Sequence, residues 1–237
     1  MPGLSRRSFC LSTAGLLAAS HSSLAAGPRV PKDLDHVILG CNDLDAGIDF
    51  VFRHLGVRAA PGGVHPGAGT KNALLSLGTL RYLEIIAPDP LQAASTDPRH
   101  VADLKSPALV GWAIHRHDMD EFVPALRSAG VASVGPKPGS RKRPDGTTLT
   151  WKSLTLEDDS NGVLPFFIEW GAGALHPSAD APRGCLLSKL EIATPDPDAL
   201  KSLAAKLQLD LQIVRAPELR LRATIAGPKG SLALHSR

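Results

Sequence analysis

The sequence predicts an α+β fold in which repeated βαβββ modules pair into a partly open, curved sheet around a cavity. Two observations lead there. An order of strand, helix and further strands recurs three times along the chain, and the composition is that of a globular core, with 43% hydrophobic and 21% charged residues among 237. A single such module has a sheet too small to be covered by its one helix, so pairing of modules is the expected route to a core.

The first 25 residues read as an address. Arg6-Arg7 precede the apolar, small-residue stretch Cys10 to Ala19, and Ser23-Leu24-Ala25 has the small-x-small form of a cleavage site. This order resembles a twin-arginine export signal, which implies contact with export machinery and a periplasmic or secreted protein that is soluble after signal removal. The formal charge of +3 falls to +1 without those two arginines, which argues against a nucleic-acid partner. No later stretch reaches the roughly 18 apolar residues of a membrane span, so no stable membrane insertion is expected. Cys41 and Cys185 remain after the leader and are able to form one bridge that nothing requires.

Residues 26–180 are expected to form one domain of two modules, about 33–90 and 109–171. In the first, the strand Leu34 to Leu39 is followed by an N-cap at Asn42 or Asp43 and a helix with Leu44, Ile48, Phe52 and Leu55 on one face, ending at Gly56. Strands at Asn72 to Leu77 and Leu80 to Ala87 follow, stopped by Pro88-Asp89-Pro90. In the second, the strand Leu109 to His115 leads to a helix from Met119 to Ala129, then to hairpin strands at Thr147 to Leu156 and Val163 to Trp170. Residues 181–237 give a shorter third module, with a strand from Leu186 to Ala193, a helix from Asp198 to Leu207 and three short strands, packing on the same domain as a cap or as one side of the cavity.

His36 lies in the first strand, and Glu84 and Glu169 lie among large apolar residues in the last strands of the two modules. A carboxylate in such a strand needs a partner, a hydrogen bond or a metal. One histidine and two glutamates suit Mn, Fe, Ni or Zn as a divalent ion, and they equally suit a core-edge histidine with two carboxylates turned to water.

Several stretches together resemble the vicinal-oxygen-chelate superfamily, in its glyoxalase-like domain branch. They are Leu34-Asp35-His36-Val37, His65-Pro66-Gly67-Ala68-Gly69-Thr70 with Asn72, Tyr82-Leu83-Glu84 with Ala87-Pro88-Asp89-Pro90, Arg141-Lys142-Arg143-Pro144-Asp145-Gly146 before Trp151, and Phe166-Phe167-Ile168-Glu169-Trp170-Gly171 with His176-Pro177. The resemblance implies metal ligation by His36, Glu84 and Glu169, with Gly111 at the place of a fourth ligand that glycine cannot supply. His115 and His117 sit at the strand exit, away from that place, and Lys189 holds the matching position of the third module.

The resemblance also sets the glycine-rich loop Pro61 to Thr70 beside the cavity, where His65, Thr70 and Asn72 are candidates for contact with a small oxygenated substrate. Trp151 and His176 are weaker candidates, His176 as an acid or base, and Glu169 and His65 are the candidate catalytic groups. The run Arg141-Lys142-Arg143 is either a solvated hairpin face or a guide for an anionic substrate. Two functions remain open: a divalent-metal-dependent lyase, isomerase or dioxygenase, and a metal-free small-molecule binding protein. A homodimer is compatible with either.

Overall fold

The computed structural model describes residues 30–93, 99–143 and 145–237. The predicted export signal therefore lies outside the described residues. Among those described, no helix is long and apolar enough to cross a membrane.

The first module comprises β1 (Leu34–Gly40), α1 (Leu44–Leu55), β2 (Ala60–His65), β3 (Thr70–Ser76) and β4 (Tyr82–Pro88). The second comprises β5 (Ala108–His115), α2 (Met119–Ser128), β6 (Ser133–Lys142), β7 (Thr148–Leu156) and β8 (Phe166–Trp170). Together they form one eight-stranded sheet in the order β2-β3-β4-β1-β5-β8-β7-β6. Each first strand lies parallel to the last strand of its own module, and β1 and β5 join antiparallel at the centre, so the halves meet edge to edge. This is the α+β, vicinal-oxygen-chelate arrangement that the sequence predicts.

Two strands escaped the sequence reading. The segment read as a glycine-rich loop is strand β2 up to His65, and only residues 66–69 make the turn into β3. The Gly- and Pro-rich strand β6 carries none of the β-branched alternation that marks a strand, yet it pairs with β7 along its length.

The third segment contains β9 (Leu186–Thr194), α3 (Pro197–Lys206), β10 (Gln212–Arg215), β11 (Arg220–Gly227) and β12 (Gly230–His235). Its element order repeats that of the first two modules, but its sheet does not. Here the order is β10-β9-β11-β12, with the first strand parallel to the second strand of the segment rather than to its last. It packs on the outer side of α1, and no residue after Trp170 lines the cavity, so the expected role as a cavity wall is not met.

Helix α1 joins the two sheets. Asp43 caps its start by accepting from Ala46 N–H, and Gly56 ends it in the left-handed region at φ 82°. Ile48, Val51 and Leu55 enter a core shared with β3, β4 and the second sheet. At its C-terminal end the Lys229 N–H donates to the Leu55 carbonyl at 3.2 Å. On the other half, Phe122 of α2 meets Phe167 of β8 edge to face at 4.6 Å between ring centres. Both Cys41 and Cys185 are buried and free, so the bridge that the sequence allows is not formed.

Gly227 tests the joint between the sheets, because a Cβ there would stand 2.5 Å from the Leu55 carbonyl oxygen. Gly227→Ala is expected to cost about 1–3 kcal/mol by overpacking, measured by urea unfolding, while ligand binding in the folded fraction is unchanged.

Candidate functional site

Strand alternation decides which side chains reach the concave face of the large sheet. On β1 these are His36 and Ile38, on β4 Tyr82 and Glu84, and on β8 Phe166, Ile168 and Trp170. With Gly111 of β5 and Arg141 and Trp151 of the β6–β7 hairpin, they enclose a cavity of about 640 Å³.

Glu84 is nearly buried at its base. Asn72 Nδ2 donates to Glu84 Oε1 at 2.6 Å, His65 Nε2 lies 3.5 Å from the same oxygen, and His36 Nε2 lies 3.8 Å from Oε2. Burial opposes the charge of this carboxyl, but His65, His36, Arg99 and the Asn72 bond outweigh it and hold Glu84 below the usual carboxylate range. The His65 ring is held at both nitrogens, with Nδ1 2.9 Å from Thr70 Oγ1 and Nε2 3.2 Å from Asn72 Nδ2. The His36 ring is stacked on Tyr82 at 4.5 Å and meets Phe166 edge-on at 5.4 Å.

Behind His36 stands a group that the sequence reading passed over. Asp35 is wholly buried, at 0% exposure. Its Oδ1 accepts from His36 Nδ1 at 2.7 Å, and its Oδ2 accepts from His115 Nδ1 at 3.0 Å, Trp170 Nε1 at 2.8 Å and His176 Nε2 at 3.2 Å. Burial pushes the Asp35 carboxyl up, but the bonds from His115, His176 and His36 prevail and set it well below the usual range. The bond to Asp35 puts a proton on His36 Nδ1 and turns Nε2 to the cavity.

The predicted site residues therefore divide. His36, Glu84, His65, Asn72 and Trp151 line the cavity, while Thr70 stands behind His65 and His176 behind Asp35 rather than facing a substrate. Glu169 is not brought to the site, either as a metal ligand or as a catalytic group. It shares the parity of Phe167, so it points away from the cavity to the start of α2, where it accepts from Met119 N–H at 3.0 Å and lies 3.6 Å from Lys152 Nζ. Arg141 and Arg143 are buried rather than part of a solvated face. The signal for Asp35 was present, since it is a carboxylate inside an apolar strand like Glu84. The signal for Arg141 was hidden by the irregular sequence of β6.

Two groups can hold a cation. Asp35, His115 and His176 are the one group among the described residues whose ligand atoms all lie within 4.8 Å of one another. Ser178 N–H donates to His176 Nδ1 at 3.2 Å, which keeps the other ring proton on Nε2 and favours the hydrogen-bonded form of this cluster over a metal-bound one. On the cavity side, His36 Nε2 and the Glu84 carboxylate are a nitrogen and an oxygen donor that fit a borderline divalent ion. Gly111 faces them without a side chain, and a Cβ there would meet only Ile38 Cδ1, at 3.7 Å.

Residues 34–208 match the family profile described as a glyoxalase-like domain. No curated protein sequence matches the chain. Among solved structures, a hypothetical protein from Staphylococcus aureus is similar at 17% identity and a TM-score of 0.60, over 86% of this chain and 85% of that one. Methylmalonyl-CoA epimerase from Mycobacterium tuberculosis is similar at 23% identity and a TM-score of 0.41, over 63% of this chain and 92% of that one. A Streptomyces coelicolor methylmalonyl-CoA epimerase in complex with 2-nitronate-propionyl-CoA gives 21% identity and a TM-score of 0.46, over 62% and 99%. At these identities the S. aureus likeness speaks to the fold alone.

Removing the Asp35 carboxylate strands four donors at once. Asp35→Ala is expected to destabilise the protein by roughly 3–5 kcal/mol, the scale for breaking a buried charged network, and Asp35→Asn by less. Because the folded carboxyl is held below its unfolded value of about 3.9, its contribution is complete above that pH and is lost as pH falls through the folded value. Urea unfolding between pH 7 and pH 2 should show a wild-type decline below about pH 4 that is shallower in Asp35→Asn.

Proposed function

The chain belongs to the glyoxalase-like domain family, and from that premise we propose that its cavity is the active site of a divalent-metal-dependent enzyme acting on a small substrate bound through adjacent oxygens, as a lyase, isomerase or dioxygenase. The observation that carries this reading is the facing pair His36 Nε2 and Glu84 Oε2, 3.8 Å apart and open to the cavity. Two donors at metal bond lengths near 2 Å stand roughly 3–4 Å apart. Mn, Fe, Ni and Zn each suit such a nitrogen and oxygen pair. A bound ion supplies Lewis acidity toward the substrate oxygens.

The remaining work falls to the chain itself. Asp35 holds the His36 ring in one tautomer and one orientation. Asn72 fixes the Glu84 carboxylate. His65 stands beside Glu84 at the cavity wall, its ring held between Thr70 at Nδ1 and Asn72 at Nε2, and is the side chain placed to exchange a proton with a bound substrate. The space at Gly111 leaves the face opposite the two donors to substrate oxygens or water. The same glycine favours the second reading, a metal-free small-molecule binding protein, because it removes a donor on the facing strand.

We further propose export through the leader, supported by the order Arg6-Arg7, apolar stretch and Ser23-Leu24-Ala25. Residues 26–180 are proposed as the working unit and residues 181–237 as a module that braces α1.

Elemental analysis and calorimetric titration with Zn²⁺, Ni²⁺ and Mn²⁺ test the metal reading. Glu84→Gln is expected to weaken binding about 100-fold or more, and His176→Gln to leave it unchanged. The reverse pattern would place the ion on Asp35, His115 and His176, and a wild-type protein that takes up no ion would establish the metal-free reading.

A further inference from the structure

Two arginines of β6 and its exit are buried, Arg141 at 6% and Arg143 at 7% exposure, and their circumstances differ. Arg143 is neutralised, donating to the Asp180 carboxylate and to the Leu175 carbonyl. Arg141 donates to the Gly62 carbonyl alone, and among the described residues no carboxylate lies within salt-bridge distance of it. A buried guanidinium with five donors and one neutral acceptor is an expensive arrangement unless something else meets it. The cavity is what it meets, since Arg141 and Tyr82 both line its wall and lie near enough to act on each other electrostatically.

The hydroxyl of Tyr82 belongs to the same corner. Burial, together with the negative charges of Asp35 and Glu84, raises its pKa well above the ordinary value, so it stays protonated. It has no hydrogen-bond partner among the described residues. A cation and a neutral donor thus share one end of the cavity. Beyond them Trp151 and Trp170, with ring centres 5.7 Å apart, and Phe166 give the wall an aromatic character.

We infer that this corner is a carboxylate-binding subsite, and that the molecule taken into the cavity is an aromatic or apolar carboxylate whose anionic group is received by Arg141 and the Tyr82 hydroxyl while its ring lies along Trp151, Trp170 and Phe166. The inference rests on the cavity being the working site and does not need the metal ion. The planar fork of arginine matches the two oxygens of a carboxylate, which the point charge of a lysine does not. A competing account is purely structural, with Arg141 serving only to balance Glu84 across the cavity.

The test uses mandelate, a small aromatic carboxylate with an adjacent hydroxyl, and its neutral analogue mandelamide. Binding is followed on the whole protein by calorimetry and by quenching of tryptophan fluorescence. Wild type should bind mandelate about tenfold or more tighter than mandelamide. Arg141→Gln should abolish that preference, Arg141→Lys should recover part of it, and Tyr82→Phe should reduce it without touching mandelamide. Should Arg141→Gln fail to fold, the wild-type preference and Arg141→Lys still decide the matter. Equal affinity for the two probes, no binding of either, or a preference that survives Arg141→Gln would overturn the inference. So would a double variant, Arg141→Gln with Glu84→Gln, that restores stability and keeps the mandelate preference, since that is the outcome of charge balance alone. Repeating the titrations in EDTA separates this inference from the metal reading. A preference retained in EDTA by a protein that binds no ion upholds the subsite while the metal proposal falls.

Discussion

Asp35 has no exposed surface, and its two oxygens accept hydrogen bonds from four side chains that arrive from the first strand of one module, from the first and last strands of the other, and from the segment beyond. A carboxylate in so dry a place is tolerable only because every approach to it is a donor. That requirement has structural consequences. His36 cannot turn its Nδ1 elsewhere, β1 and β5 cannot slide in register without parting Asp35 from His115, and the chain after β8 must return to bring His176 within reach. One of the two register shifts in the β1–β5 pairing, between Leu34 and His36, falls at Asp35 itself.

Much of the architecture was legible in the sequence, for a simple reason. Apolar alternation and helix caps are local signals, so Leu34 to Leu39, the helix from Leu44 to Gly56 and the strand around Glu84 stand where their patterns put them. The site was legible only where two strands agree in parity. The resemblance groups His36 with Glu84 and Glu169, and of the three only His36 and Glu84 lie on the inward side of their strands. Glu169 occupies a similar apolar stretch but is one residue out of phase, and a shift of one in a strand exchanges the two faces. No feature of Phe166 to Trp170 alone says which face is inward. That is decided by Phe167, which must pack on Phe122 of α2, a contact between residues far apart in the chain.

The third segment makes the same point at the level of topology. Its strand, helix and strand order repeats the first module, yet β9 lies beside β10 where β1 lies beside β4. Element order does not determine neighbour order. In the first two modules the second strand is carried to the outer edge of the large sheet, and the last strand takes the place beside the first. In the third, the link through α3 sets the second strand directly beside the first. What results is a four-stranded sheet that packs on α1, and the described lining of the cavity comes from the first two modules and their link alone.

The charges around the cavity constrain what it can hold at one time. Glu84 is kept ionised by its neighbours, and Arg141 lies close enough to feel it without making a salt bridge. An anion brought to Arg141 also approaches Glu84, and in a space of low dielectric that repulsion offsets part of the attraction to the guanidinium. On the proposed reading, a cation between His36 and Glu84 removes that repulsion and leaves the positive charge of Arg141, with Arg99 on the same cavity wall, to the anion. Each ligand then improves the site for the other, and because binding free energies are reciprocal the help is mutual and equal. Without the cation, Glu84 and Arg141 partly neutralise each other across the gap, and the cavity is nearer to a neutral, aromatic-walled space. On the two proposals above, the same residues would give a selective receptor for an anion when the cation is held and a weaker, less discriminating one when it is not.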